Sequence, residues 1–184
     1  MRTPGEGHMK ASKRMKFLVD EIASPLGPMI LVSDGTAMVT LDFADCRQRF
    51  DDSLERRFGS VELLPTPDPG GFSSAVRSYL AGDREAVAEL PVRLAGTPFQ
   101  ETVWAALRSI PAGSTTTYGE LAARLGRPGS ARAVGRANSL NPVAIAVPCH
   151  RVIGADGSLT GYAGGIERKR WLLAHEGVQV PVPN

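Results

Sequence analysis

The chain has 184 residues, 42% hydrophobic and 22% charged, with a formal net charge of +2, a composition that fits a globular fold and excludes low-complexity or fibrous chains. No apolar run approaches the roughly 20 residues that span a bilayer. Two cysteines, Cys46 and Cys149, are too few for a disulfide framework, and with His8, His150 and His175 they show no metal-ligand spacing.

Residues 1–16 read as a disordered tail, polar and without periodicity. The tail is basic but has no apolar h-region, which reads against a secretory signal and for a cytoplasmic protein. Residues 17–92 read as an N-terminal α/β domain. Phe17–Ile22, Met29–Val32 and Ala37–Phe43 are strand candidates, with turns at Ser24-Pro25-Leu26-Gly27-Pro28 and Ser33-Asp34-Gly35. Leu54 and Phe58, four apart, suggest a short helix before Gly59. Phe72, Val76, Tyr79 and Leu80 fit a second helix that stops at Gly82. Leu90-Pro91-Val92-Arg93-Leu94 looks like a linker.

A second domain is expected over residues 97–184. Thr97, Pro98 and Gln100 form a capping box with proline at the first helical position, and Phe99, Val103, Leu107 and Ile110 follow at helical spacing. Thr117-Tyr118-Gly119-Glu120 is another capping box. After a break at Gly126-Arg127-Pro128, a short helix from Ala131 to Ala137 is expected, capped by Ser130. The two short helices make a helix-turn-helix candidate. The side chains of the second are small except for arginines, so it could approach a duplex closely with Arg132 projecting; the same composition suits close helix–helix packing. A last helix runs near Glu167–His175, with Trp171-Leu172-Leu173 turned inward and Gly177 as its stop. Glu176 then sits where a helix C-terminus disfavours negative charge.

The stretch with the most chemical content is Pro148-Cys149-His150-Arg151-Val152. The apolar run Val143–Val147 reads as a core strand that delivers Cys149 to a polar surface, with a histidine beside it and glycine-rich segments after it. A nucleophilic thiol needs a proton acceptor and room for its substrate. A cysteine after an apolar run is also, commonly, a small buried hydrophobe, and a histidine next in an ideal strand points to the other face. Charge is uneven: residues 97–184 carry nine Lys/Arg against five Asp/Glu, and residues 17–96 seven against thirteen. A basic C-terminal half suits a polyanion, though an ordinary solvated surface gives the same count.

Tyr118-Gly119-Glu120-Leu121-Ala122, Ala131-Arg132-Ala133-Val134-Gly135, Asn141-Pro142, Pro148–Val152, Gly161-Tyr162-Ala163-Gly164-Gly165 and Trp171–Gly177, in this order and spacing, resemble the O(6)-alkylguanine-DNA alkyltransferases. The resemblance covers nearly all of residues 17–178. It implies an α/β (α+β) fold, with an N-terminal ribonuclease-H-like domain and a C-terminal winged-helix-like domain that binds DNA and holds the active site. It implies direct repair: Cys149 takes the alkyl group from guanine O(6), and also from thymine O(4), in one irreversible transfer without cofactor or metal. In the family the residue matching His150 removes the cysteine proton through a water, the one matching Glu176 orients it, and the one matching Asn141 ties the recognition helix to the active-site segment. The family arginine matching Arg132 fills the stack left by an extruded nucleotide, and the tyrosine matching Tyr118 crowds its phosphate and helps quench charge on the leaving guanine. Ala131, Ala133 and Gly135 then read as a minor-groove face with weak sequence preference. Tyr162, Ala163 and Val152 read as the substrate pocket. The partner implied is double-stranded DNA, in a cytoplasmic monomer associated with the nucleoid in a bacterium. Some members carry serine at the Ala163 position; a backbone N–H of the loop could substitute. Rival readings are a lesion-recognition protein without transfer, a plain helix-turn-helix regulator and a cysteine hydrolase.

Overall fold

The computed structural model describes residues 14–179. Most of the expected tail lies outside the described residues, but strand β1 starts inside it, at Met15. The N-terminal half carries a four-stranded sheet of order β3-β2-β1-β4, formed by β1 (Met15–Ile22), β2 (Met29–Ser33), β3 (Met38–Phe43) and β4 (Val61–Pro65). The first three are an antiparallel meander; β4 runs parallel to β1, with Phe17 opposite Leu63. Helix α1 (Arg47–Phe58) makes the crossover between β3 and β4, and α2 (Phe72–Leu80) follows. α1 is longer than the Leu54/Phe58 pair suggests, because its outer face is charged and only Phe50 and Leu54 are buried.

β2 and β3 are buried along their whole length, since each face of the sheet has a cover. Phe17, Ile30, Val32, Val39, Phe50 and Leu54 form a core under α1. The opposite face, with Leu31, Leu41 and Phe43, belongs to a second core that continues through Tyr79 to Trp104, Val134, Val147 and Leu172. The two halves thus share one hydrophobic core. The expected linker is stapled to the edge of β3: Met38 N–H donates to Pro91 O at 2.8 Å, and Arg93 N–H to Met38 O at 2.8 Å.

The C-terminal half contains α3 (Pro98–Arg108), β5 (Thr116–Thr117), α4 (Tyr118–Arg124), α5 (Ala131–Ser139), β6 (Val152–Ile153) and α6 (Ile166–His175). Both capping boxes form as their sequences dictate, at Thr97/Gln100 and Thr117/Glu120. Ser130 occupies the N-cap of α5, but its hydroxyl makes no capping bond, so that expectation is corrected. Trp104 Nε1 donates to Ala137 O at 2.9 Å and locks α3 to α5. None of the described helices is long and apolar enough to cross a membrane.

Val143–Val147 is not the expected strand. Pro142 and Pro148 frame it and cannot donate to a ladder. Only Val143 bridges to Leu41, and Ala144 N–H donates to Leu41 O at 2.9 Å. Two tight turns follow. Ala146 N–H bonds Ala144 O at 2.8 Å across Ile145, whose φ is 71°. Cys149 N–H bonds Val147 O at 2.8 Å across Pro148, at φ −81° and ψ 65°. These are γ-turn geometries, the first of the strained kind. They deliver Cys149 into a single 3-10 turn, Cys149–Arg151, rather than to the end of a strand.

Candidate active site

The C-terminal end of α6 places Glu176 in the interior, 1% exposed, beside His150 and Arg151 of the 3-10 turn. His150 Nε2 lies 2.9 Å from Glu176 Oε1. Arg151 donates from Nε to Oε2 at 2.9 Å and from Nη2 to Oε1 at 2.8 Å, a two-point pairing. Tyr79, reaching across from α2, donates its hydroxyl to Oε1 at 2.7 Å. Burial works against a charge on Glu176, but the His150 and Arg151 donors overcome it and hold the carboxyl well below the usual carboxylate range. An ionised carboxylate can only accept, so His150 carries its proton on Nε2. Burial pulls the His150 imidazole below its ordinary value despite the Glu176 bond and charge, which keeps the ring neutral at neutral pH. Its Nδ1 is buried and has no protein partner among the described residues. The result is a neutral base with one free lone pair, next in the chain to a thiol.

Cys149 is 7% exposed, so it lies in a recess rather than on the polar surface expected from sequence. Both Cys46 and Cys149 are free thiols. Burial pushes the Cys149 thiol up; a hydrogen bond from Asn141 and the charges of Lys169 and Arg49 act in the opposite sense. Asn141 donates Nδ2 to Val147 O at 2.7 Å and accepts Val143 N–H at 3.0 Å, so it braces the double turn that carries Cys149. Lys169, fully buried, donates Nζ to Val152 O at 2.6 Å and Thr160 O at 2.9 Å, and burial pulls it down to about 8.

Cys149 opens on a cleft lined by Asn138, Asn141, Tyr162, Ala163 and Gly164 from the C-terminal half and by Asp42, Phe43 and Arg49 from the N-terminal half. Gly164 is required there, because a Cβ would lie 2.8 Å from the Phe43 ring and 2.9 Å from the Tyr162 ring. Arg168 closes the same seam, donating Nε to Leu26 O at 3.0 Å and pairing with Asp45 at 2.8 Å. Tyr162 and Ala163 line this cleft, while the Val152 side chain is buried in the core and its carbonyl accepts from Lys169.

On the outer face, Tyr118, Ala131, Arg132 and Gly135 line one open groove with Thr160 and Gly161. A Cβ on Gly135 would sit 3.6 Å from the Tyr118 ring, an ordinary contact, so the packing of α4 on α5 does not itself demand glycine there. The Tyr118 hydroxyl donates to Thr160 O at 3.2 Å, and burial followed by the nearness of Cys149 raises its pKa. Ala133 is separated from this set: half a helical turn from Ala131, it opens with Arg136 and Phe99 on another face. Arg132 is exposed and makes no hydrogen bond or ion pair with the described residues.

Sequence reasoning missed Tyr79, Arg151, Lys169, Asn138 and the Asp42–Arg49 ion pair as parts of the site. Lys169 carried a signal, since it precedes the buried Leu172 and Leu173 by three and four residues and so shares their inward face. Tyr79 carried none, being one more apolar position on an amphipathic helix.

The ribonuclease-like domain of 6-O-methylguanine DNA methyltransferase matches residues 20–94, and the DNA-binding domain of the same protein matches residues 98–178. The chain is 47% identical over 166 residues to a methylated-DNA–protein-cysteine methyltransferase of Salmonella typhimurium, covering 89% of this chain and 97% of the relative. A Mycobacterium tuberculosis protein of the same name is 49% identical over 164 residues, covering 87% and 92%. Among solved structures, Mycobacterium tuberculosis OGT in complex with DNA superposes with a TM-score of 0.72 at 42% identity, covering 88% of this chain and 92% of that one. The O6-methylguanine-DNA methyltransferase from Pyrococcus kodakaraensis superposes at 0.69 with 31% identity, covering 88% and 99%. With both domain patterns matched across most of its length, the chain belongs to the 6-O-methylguanine DNA methyltransferase family.

Proposed function

We propose that this protein repairs alkylated DNA directly, moving a methyl or larger alkyl group from guanine O(6), and also from thymine O(4), onto its own Cys149. The observation that carries the reading is the buried set around Glu176, which leaves His150 neutral with Nδ1 bare while Lys169 and Arg49 face the neighbouring thiol. His150 Nδ1 takes the Cys149 proton, through a water; the thiolate attacks the alkyl carbon; the carbon–oxygen bond breaks as the carbon–sulfur bond forms; and the base leaves as an anion that picks up one proton. A thioether at Cys149 has no route back, so each molecule acts once. No cofactor or metal enters this balance.

The target base is extruded from double-stranded DNA, because Cys149 lies in a recess that no stacked base can reach. Arg132, exposed at the rim of the Tyr118 groove, fills the vacated stack. Tyr118 crowds the phosphate and donates to the leaving base. Ala131 and Gly135 approach the minor groove, with Ala133 at its margin, in a mode read through shape and backbone rather than sequence. The protein acts as a monomer in the cytoplasm, on the nucleoid in a bacterium.

The test is intact-protein mass after incubation with a duplex containing O(6)-methylguanine, followed by peptide mapping. One methyl on Cys149, unmodified guanine in the DNA, and none of either with Cys149→Ala are expected. Tight lesion binding without a mass change would overturn transfer and leave recognition alone.

A further inference from the structure

Helix α5 has a groove on each flank. Arg132 borders the Tyr118 groove on one side, and Arg136 borders a second groove on the other, with Phe99, Gln100, Ala133 and Leu140. Four residues turn a helix by about 400°, so the two side chains leave it about 40° apart. Both are exposed. Arg127, exposed in the loop between α4 and α5, joins the second groove: its guanidinium lies over the Phe99 ring, 5.3 Å from the centroid. No aspartate or glutamate lines that groove, and neither Arg127 nor Arg136 is in an ion pair among the described residues. Arginines of the N-terminal half behave differently, since Arg49, Arg77 and Arg93 each pair with an aspartate. Two guanidiniums gathered beside one aromatic ring without a counter-ion repel each other, and an anion that reaches both removes that cost.

We propose that the Phe99 groove binds backbone phosphate of the strand opposite the lesion, with Arg127 and Arg136 as the donors. A helix with its side chains is about 10–12 Å across and the minor groove about 6 Å wide, so the two flanks of a helix set into that groove meet two different backbones. The Tyr118 flank takes the strand whose nucleotide is extruded, which leaves the Phe99 flank to the complementary strand. The inference rests on the DNA reading proposed above and adds a difference in role between two arginines of one helix. Arg132 enters the base stack; Arg136, with Arg127, holds phosphate, for which the planar guanidinium fork is suited. A grip on the undamaged strand keeps the duplex in place while one nucleotide of the other strand rotates out.

The test measures binding of the full chain, carrying Cys149→Ala so that no transfer intervenes, to an O(6)-methylguanine duplex over a range of salt. Methylphosphonates replace phosphates around the lesion in one strand or the other. Arg127→Gln and Arg136→Gln are each expected to lower affinity about tenfold at low salt, the scale of one charge-assisted hydrogen bond, and to reduce the slope of log K against log salt by about 0.9. Neutral linkages in the complementary strand should weaken binding in the same way and add nothing to the loss in the double arginine variant. Neutral linkages in the damaged strand should weaken both proteins alike. An affinity and slope unchanged in the double variant overturn the phosphate site and leave the transfer reading intact. A double variant that still loses affinity to complementary-strand methylphosphonates, as its parent does, overturns the assignment of strand. Absence of any binding to the duplex by the parent overturns the DNA reading beneath both.

Discussion

Glu176→Gln is the sharpest perturbation of the site, because one carboxylate serves three side chains. Its two oxygens accept from His150, Arg151 and Tyr79 at 2.7–2.9 Å, and the side chain is 1% exposed. The amide keeps the shape but removes the charge and turns one acceptor into a donor that faces either the Arg151 guanidinium or the His150 N–H. Arg151 is then a buried cation without its counter-ion. Breaking a buried pair from one side costs about 3–5 kcal/mol, which for a chain of this size lowers the melting temperature by roughly 6–20 °C. The chemistry suffers separately, because the imidazolium formed when His150 takes a proton loses its carboxylate; a positioned base is worth about 10²–10⁴ in rate. Transfer from O(6)-methylguanine duplex, followed by mass in single turnover below the melting range, is expected to fall at least about 100-fold. The acid limb of the rate profile moves to lower pH, since removing the negative charge makes His150 harder to protonate. A rate within about threefold of wild type, with an unmoved profile, would refute the base–orienter assignment.

The same carboxyl predicts a pH dependence of stability. Its folded pKa lies below the ordinary glutamate value of 4.5, so its contribution is present above that value and is lost as pH falls through the folded pKa. The stability gap between wild type and Glu176→Gln, read by urea melts, therefore narrows below about pH 4.5; a gap constant into acid would count against an ionised Glu176. Arg132→Ala is expected to slow transfer from duplex far more than reaction with free O(6)-alkylguanine, and to leave the salt dependence of DNA binding nearly unchanged, because a residue in the base stack releases no counter-ion. Equal losses on both substrates would remove it from base extrusion. Tyr79→Phe keeps the buried ring but frees Glu176 Oε1 of one donor, leaving a stronger acceptor for His150. The acid limb of the rate profile should then move to higher pH with modest loss of stability. A profile superimposable on the wild type would show that the α2 hydroxyl does not reach the chemistry.

Local rules read well wherever a few neighbouring residues decide the outcome. Both capping boxes, the meander of β1–β3, and the limits of α2 and α6 follow from turn residues and apolar spacing close in sequence. The order of motifs from Tyr118 to Gly177 was enough to name Cys149, His150 and Glu176 together. Strand β4 was missed because Val61–Pro65 is only half-buried and shows no clean alternation; its parallel pairing with β1 comes from the α1 crossover. Val143–Val147 was misread for a related reason. An apolar run reports burial, and burial is shared by strands and by tight turns packed inside a core; the two prolines and the bridge to Leu41 decide between them.

Which groups could react, and which helices and strands would carry most of them, follows from residue identity and spacing. Tertiary structure alone decided what charge those groups hold. The neutrality of His150 and the ionisation of Glu176 depend on donors brought from distant segments: Tyr79 from the N-terminal half and Arg151 from the 3-10 turn. Protonation is set by distance and dielectric, which fall off over a few ångströms, and no periodicity in a sequence reports which segments come that close.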